Sequence, residues 1–272
     1  MTKDLKGLST ATIRLRGVCW DDKSSFMQGA AEAPPLIREA FHSPSANYFA
    51  EDGTDTRALF EDLGDDSFAD YGGIRPRAEL HLADGHRLLT LGGDHSITYP
   101  IIQAYAEKYP GFHILQIDAH GDLYDEFEGD RFSHACPFAR IMEEQLTPRL
   151  IQVGIRTLST HQRQQAQTYG VEVHEMKDGP LSEISLGDHP LYISLDMDAF
   201  DPAYAPGVSH HEPGGLTARE VLNFLQRIKA PIVGADIVEY NPRRDVQGMT
   251  AMLAAKMMKE LLAMMHKTTL AL

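Results

Sequence analysis

Short apolar runs recur along the chain and alternate with longer stretches whose apolar positions fall at helical spacing. The runs predict strands over Thr12–Cys19, Arg87–Leu91, Phe112–Asp118, Arg149–Val153, Val171–His174, Leu191–Leu195 and Ile232–Ile237. The stretches between them predict helices over Pro35–Phe41, Arg75–Leu82, Tyr99–Lys108, Ser133–Glu144, His161–Tyr169, Ala218–Ile228 and Met249–Met265. Strand and helix in alternation imply an α/β fold, a three-layer α/β/α arrangement with a mostly parallel central sheet. No repeat or low-complexity linker interrupts the pattern, so residues 1–272 read as one domain. The segment 42–72 is the least regular and reads as loop-rich surface, its acids forming a solvated connection.

In such sheets, sites form beyond the carboxyl ends of the strands. The polar clusters of this chain fall there: Gly92-Gly-Asp-His-Ser96, Asp118-Ala-His-Gly-Asp122, Asp196-Met-Asp-Ala-Phe-Asp-Pro202 and Glu239-Tyr-Asn-Pro242. Extended backbone sends alternate side chains to one face. Asp118, His120 and Asp122 are thus expected to project together, as are Asp196 and Asp198. With His95 they make a set of two imidazoles and four carboxylates without a thiolate, which suits manganese and also admits iron, cobalt, nickel or zinc. That is more than the roughly three protein ligands of a catalytic zinc. It fits two ions about 3.5–4 Å apart. A calcium loop starting at Asp196 is excluded, because its sixth and twelfth positions hold Asp201 and Gly207.

His134 follows the first cluster after a short polar loop, close enough to move protons near the metals. Glu239 closes a buried strand, as a salt-bridged carboxylate or as a fixed anion for a planar guanidinium. His42, His81, His86, His161, His189 and His266 read as surface, and His113 and His174 as packing residues in strands. His210 and His211 sit in a Pro/Gly-bounded loop and fit either the rim of the site or a subunit contact.

The net charge of −14 argues against nucleic acid or an anionic membrane as partner. Two cysteines, Cys19 and Cys136, make a disulfide framework unexpected. The start lacks the patterns of a signal or transit peptide, and no stretch has the apolar length of a membrane span. These features lead to the expectation of a soluble, cytoplasmic protein.

The three clusters, with Ser194-Leu-Asp196 leading the third and Ala205-Pro-Gly207 and Pro213-Gly-Gly-Leu216 following it, resemble the ureohydrolase family of arginases and agmatinases. The resemblance runs from Ser25-Phe-Met-Gln-Gly29 and Ala33-Pro-Pro-Leu-Ile-Arg38 to Gly248-Met-Thr-Ala251. It implies an arginase-like α/β/α fold, usually in homotrimers or homohexamers, and two Mn(2+) per chain. His95, Asp118, Asp122 and Asp196 would hold one ion, and Asp118, His120, Asp196 and Asp198 the other. The reaction implied is hydrolysis of a small cationic guanidino substrate to urea and an amine. Asp122 would orient the attacking hydroxide and carry its proton, His134 would shuttle protons, and Glu239 would orient the guanidinium.

Classical arginases place an asparagine two residues after the third ligand of the first aspartate cluster; this chain has Tyr124. The segment Tyr124–Phe138 with Ser209-His-His-Glu-Pro213 is instead similar to plant-type arginases of the agmatinase branch. Agmatine, which lacks the carboxylate and which the acidic loop (Asp125, Glu126, Glu128, Asp130) would not repel, is the expected substrate, giving putrescine; arginine, cleaved to ornithine and urea, is the alternative, its carboxylate met by Arg131 if that side chain turns inward. Guanidino-acid and formimidoyl substrates are further alternatives. A two-metal phosphoesterase would want Arg or Lys near the metals. A single-metal deacetylase or a non-catalytic homologue would lack ligands that are present here.

Overall fold

The computed structural model describes residues 13–269. Its strands are β1 (Ile13–Cys19), β2 (Phe60–Ser67), β3 (Arg87–Leu91), β4 (His113–Ile117), β5 (Leu150–Ile155), β6 (Glu172–Glu175), β7 (Leu191–Asp196) and β8 (Ile232–Val238). They form one eight-stranded sheet in the order β2-β1-β3-β8-β7-β4-β5-β6. Every pairing is parallel. Parallel neighbours require long crossovers, and most of these carry helices: α1 (Ala33–Phe41), α2 (Ile74–His81), α3 (Thr98–Lys108), α4 (Pro137–Glu143), α5 (Thr160–Tyr169), α6 (Ala218–Gln226) and α7 (Met249–Thr269). Thr12, expected to begin β1, lies outside the described residues.

Period two along the strands divides the core. Leu15, Leu89, Leu115, Ile151, Ile193 and Ile237 pack with residues of α1, α6 and α7, among them Ile37, Leu225 and Leu261. Leu88, Ile114, Leu150, Tyr192 and Val233 pack with residues of α2 to α5, among them Ala78, Ile102, Phe138 and Ala166. The central strands are therefore buried on both faces, which is why they read as unbroken apolar runs. The three-layer α/β/α architecture expected from the pattern is the one found.

Two expectations need correction. The segment 42–72 contains β2, which pairs with β1 as an edge strand. Its sequence, Phe-Glu-Asp-Leu-Gly-Asp-Asp-Ser, carries no apolar alternation, so its ladder rests on backbone pairing and on ion pairs. Asp62 and Asp65 meet Arg38 of α1, Glu61 meets Arg14, and Asp66 meets Arg77. Charges on an edge strand also discourage pairing with another chain. The second correction is α4, which starts at Pro137 and not at Ser133. A residue before proline is disfavoured in the helical region, so Cys136 ends the preceding loop.

The carboxyl ends of β1, β3 and β8 meet at Gly93. Its carbonyl accepts from Glu239 N at 2.9 Å, and the next amide, Asp94 N, donates to Trp20 O at 3.0 Å. A Cβ at Gly93 would lie 1.7 Å from Trp20 O. Backbone cannot yield as a side chain can, so Gly93→Ala is expected to cost about 3 kcal/mol, the upper end of the ordinary range. Urea denaturation would check this, and an unchanged midpoint would show that the three strand ends can move apart.

Candidate metal centre

Four adjacent strands, β3, β8, β7 and β4, deliver the polar clusters to one end of the sheet. His95 lies just beyond β3, Asp118 beyond β4, Asp196 ends β7 and Glu239 follows β8. The strands are fixed by their buried neighbours, so the side chains at their ends are fixed too.

The expected alternation holds only in part. Asp122 has φ 46° and Glu239 φ 62°, both in the left-handed region. Asp198 sits in a short 3-10 turn, Met197–Ala199. The ligands therefore converge through turns that leave the strands and not through extended backbone. Left-handed conformation at a non-glycine residue is uncommon, and it clusters at functional sites where the surroundings over-determine it.

All six predicted ligand side chains are brought together. His95 Nδ1 lies 3.1 Å from Asp118 Oδ2, 3.0 Å from Asp122 Oδ2 and 3.2 Å from Asp196 Oδ2. His120 Nδ1 lies 2.9 Å from Asp198 Oδ2 and 3.6 Å from Asp118 Oδ1. His95 Nδ1 is buried, yet it forms no hydrogen bond. Its lone pair and three carboxylate oxygens face a common point, the arrangement a cation would complete. Two sets with metal-ligand spacing, His95/Asp118/Asp122 and Asp118/His120/Asp198, share Asp118.

The electrostatics agree with that fit. Burial and the charge of Asp118 push Asp122 up to about 6. Burial, then Asp198 and Asp118, raise Asp196 well above the ordinary carboxylate range. Burial opposes the charged form of His95, but the surrounding carboxylates raise its pKa strongly. Burial would also raise Asp118, yet His120 and His95 hold it below its usual value. Among the described residues, the ion pairs of these six side chains run only within the set. Packed carboxylates without Lys or Arg are costly unless a cation joins them.

A row of buried polar side chains underlies the ligands. Arg16, Thr90, Asp236, Ser194, Gln116 and Gln152 are register neighbours across six strands. Gln152 Nε2 donates to Gln116 Oε1 at 2.5 Å, and Gln116 Nε2 donates to Asp118 Oδ2 at 2.7 Å. Ser194 Oγ lies 2.9 Å from His95 Nε2 and donates to Asp236 Oδ1 at 2.6 Å. His95 is thereby turned with Nδ1 toward the carboxylates, the kind of support that orients metal ligands. Gln116, Ser194 and Asp236 lie inside runs that read as plain strand, and only their place one or two residues before a strand end hinted at this role.

Four of the ligands, His120, Asp122, Asp196 and Asp198, floor a cavity of about 440 Å³, also lined by Ser25, Tyr124, Phe127, His134, Arg156, Thr157, Ser159, Gln162, Arg163, His210 and Glu239. His134 Nδ1 lies 2.8 Å from Glu239 Oε1, which also accepts from His95 N at 2.9 Å. Burial opposes the imidazolium, but Glu239, then Asp94 and Asp122, raise His134 to about 9. Burial would raise Glu239, yet His134 holds it below its usual value. Burial and Glu239 push Asp94 up to about 7.

The remaining candidates separate clearly. The His210 ring lies 5.4 Å from that of His134 and 5.9 Å from that of His120, at the site rim. His211 turns away to Pro206 O and Arg244. Arg131 is exposed and pairs with Asp125 and Glu143, outside the cavity lining. Tyr124 stacks on His161, which thus does more than face solvent. Ser25, which the residue pattern did not single out, reaches the site from a loop distant in sequence.

An α/β/α sheet with paired histidine–aspartate clusters at its central strand ends defines a metallohydrolase-type site. The sequence matches the Arginase family over residues 11–264. It is 45% identical to a mitochondrial arginase of Medicago truncatula, over 98% of this chain and 86% of that one. It is 46% identical to mitochondrial arginase 1 of Arabidopsis thaliana, over 97% of this chain and 84% of the relative. The solved arginase from Medicago truncatula superposes with a TM-score of 0.85 at 43% identity, covering 94% of this chain and 87% of that chain. The chain belongs to the arginase family of ureohydrolases, enzymes that act on guanidino substrates.

The cytoplasmic expectation is overturned by the same comparison, since these plant relatives are named as mitochondrial. It rested on few cysteines, on the pattern of the first residues and on the lack of a membrane-length apolar stretch, features shared by proteins of several compartments. No helix among the described residues is long and apolar enough to cross a membrane.

The raised aspartates give the metal-free protein a pH signature. An acid whose proton is held more tightly in the folded chain stabilises the fold at low pH, and that contribution is lost as pH rises through the folded pKa. Asp122 at about 6 and Asp94 at about 7, against an ordinary value of 3.8, set the window. In EDTA the unfolding midpoint in urea is expected to fall as pH rises from about 4 to 7, and divalent cation should flatten the fall. A flat profile in EDTA would contradict this.

Proposed function

We propose that the protein is a binuclear manganese arginase that hydrolyses L-arginine to ornithine and urea. The observation that carries the reading is the convergence of His95, Asp118, His120, Asp122, Asp196 and Asp198 on one another, with His120, Asp122, Asp196 and Asp198 lining one cavity. His95, Asp118, Asp122 and Asp196 would hold one ion; Asp118, His120, Asp196 and Asp198 would hold the other. Hard oxygen donors with two imidazoles suit manganese. A bound pair of such ions supplies Lewis acidity that brings the pKa of a coordinated water toward neutrality.

The chain's own groups do the rest. Glu239 is a buried, fixed carboxylate on the cavity wall, matched to the paired N–H donors of a guanidinium. Asp122, which lines the cavity, is placed to take a proton from the attacking water and release it to the leaving amine. His134, paired with Glu239 on the cavity lining, replenishes or removes protons. Products are urea and the alkyl amine.

The 45% identity to a plant arginase supports arginine as substrate ahead of agmatine, which the acidic loop had favoured. One observation keeps agmatine as the second reading: Arg131, the loop cation that could meet an α-carboxylate, is engaged by Asp125 and Glu143. Thr157, Ser159 and Gln162 line the cavity with neutral groups, beside Arg156, which donates to backbone carbonyls of Glu212 and Asp198, and Arg163, which pairs with Glu175.

Urea release from arginine, agmatine and guanidino acids in excess manganese tests this reading. Arginine is expected to exceed agmatine in kcat/KM by about tenfold or more. Asp118→Ala should lose metal and urea release together. Agmatine as the better substrate would shift the assignment to agmatinase, and no urea from any guanidine would reject it.

A further inference from the structure

The His134 imidazole has both nitrogens engaged. Nδ1 faces Glu239 Oε1 at 2.8 Å, and Nε2 lies 2.8 Å from Ser25 Oγ. The backbone N–H of Ser25 donates to the same Nε2 at 3.2 Å. That donor faces the Nε2 lone pair of the neutral ring, whose proton sits on Nδ1 and is donated to Glu239; the imidazolium, favoured at neutral pH, carries its second proton on Nε2, toward Ser25 Oγ. The ring is buried, and one neighbouring ring is that of His210. Ser25 is half-buried and lines the cavity. A proton leaving Nε2 therefore meets the Ser25 hydroxyl first.

We propose that Ser25 is the relay through which His134 exchanges protons with the cavity. The proposal rests on the ureohydrolase reading above. In the transfer, the Nε2–H bond of the imidazolium breaks as an O–H bond forms at Oγ. The hydroxyl's original proton passes to the nitrogen lone pair of the leaving amine, or to a water. Ser25 ends with one hydroxyl proton, His134 is neutral and the amine has gained one proton. The backbone N–H of Ser25 then holds Nε2 as an acceptor until the next transfer.

The loop is built to keep Ser25 in place. Asp94 Oδ2 accepts from Lys23 N at 3.0 Å and from Ser24 Oγ at 3.4 Å. Lys23 O accepts from His134 N at 3.2 Å, and Lys23 Nζ pairs with Asp130 at 2.6 Å. The charged and titratable groups around His134 are Glu239, Asp94, Asp122 and His210. Glu239, Asp94 and Asp122 favour the imidazolium; the Ser25 N–H opposes it from the fourth side.

The test uses manganese-loaded full-length protein with Ser25→Ala and Ser25→Thr. Ser25→Ala is expected to lower kcat by about ten- to a hundredfold, with KM, metal content and thermal midpoint unchanged. The limb of the pH–rate profile set by His134 should shift. Ser25→Thr, which keeps the hydroxyl, should restore most of kcat. Wild-type kcat and pH profile in Ser25→Ala, or equal loss in both variants at full metal content, would overturn the proposal. Nitrogen NMR of the His134 ring separates this from the parent reading. Loss of urea release in the wild type rejects the ureohydrolase function, whereas a His134 Nε2 signal that titrates identically in Ser25→Ala rejects the Ser25 contact.

Discussion

Asp118, Asp122, Asp196 and Asp198 crowd around two imidazoles where solvent scarcely reaches, and their mutual repulsion is the constraint the surrounding structure answers. Like charges in a dry site raise one another's pKa, as Asp122 and Asp196 display. Without cations the cluster would tend to protonate or to spread. The fold prevents spreading by placing each aspartate at or just past the end of a strand buried on both faces. The polar row from Arg16 to Gln152 then fixes rotamers from below, through Gln116 on Asp118 and Ser194 on His95. Strained backbone at Asp122 and Glu239 is tolerated because both sit inside this frame.

The second consequence of the crowding is the separation of roles around it. In the metal-free chain Asp118 is held low by the two histidines, while burial and the charge of Asp118 raise Asp122. His134 and Glu239 form a pair beside the cluster and do not belong to it. Their hydrogen bond leaves Nε2 as the ring's only outlet. One pocket thus contains groups that keep charge and groups that move protons, set apart by which neighbours each one faces.

Much of this was legible in the chain because strand ends concentrate chemistry. His95, Asp118, His120, Asp122, Asp196, Asp198, His134 and Glu239 could be picked out since each lies beside a buried run and carries a ligand-type side chain. The α/β/α layering followed from the alternation of apolar periods. β2 escaped because an edge strand dominated by Glu61, Asp62, Asp65 and Asp66 has no apolar face to display. Ser25 escaped because a serine in a loop has no local signal; its meaning depends on a contact 109 residues away. Asp236 and Gln116 were hidden as polar letters within strands. The rest of the cavity wall comes from Tyr124 on one loop, Thr157 and Ser159 on another and Gln162 in α5, and no spacing rule links the three.

The central claim is that the six converging side chains form a two-ion site. Metal analysis of purified protein, dialysed first against chelator and then against manganese, tests it most directly. The account predicts about two manganese ions per chain, falling in Asp118→Ala because both ions lose a shared ligand. Stoichiometric manganese in Asp118→Ala, or no bound metal in the unmodified protein, would contradict it.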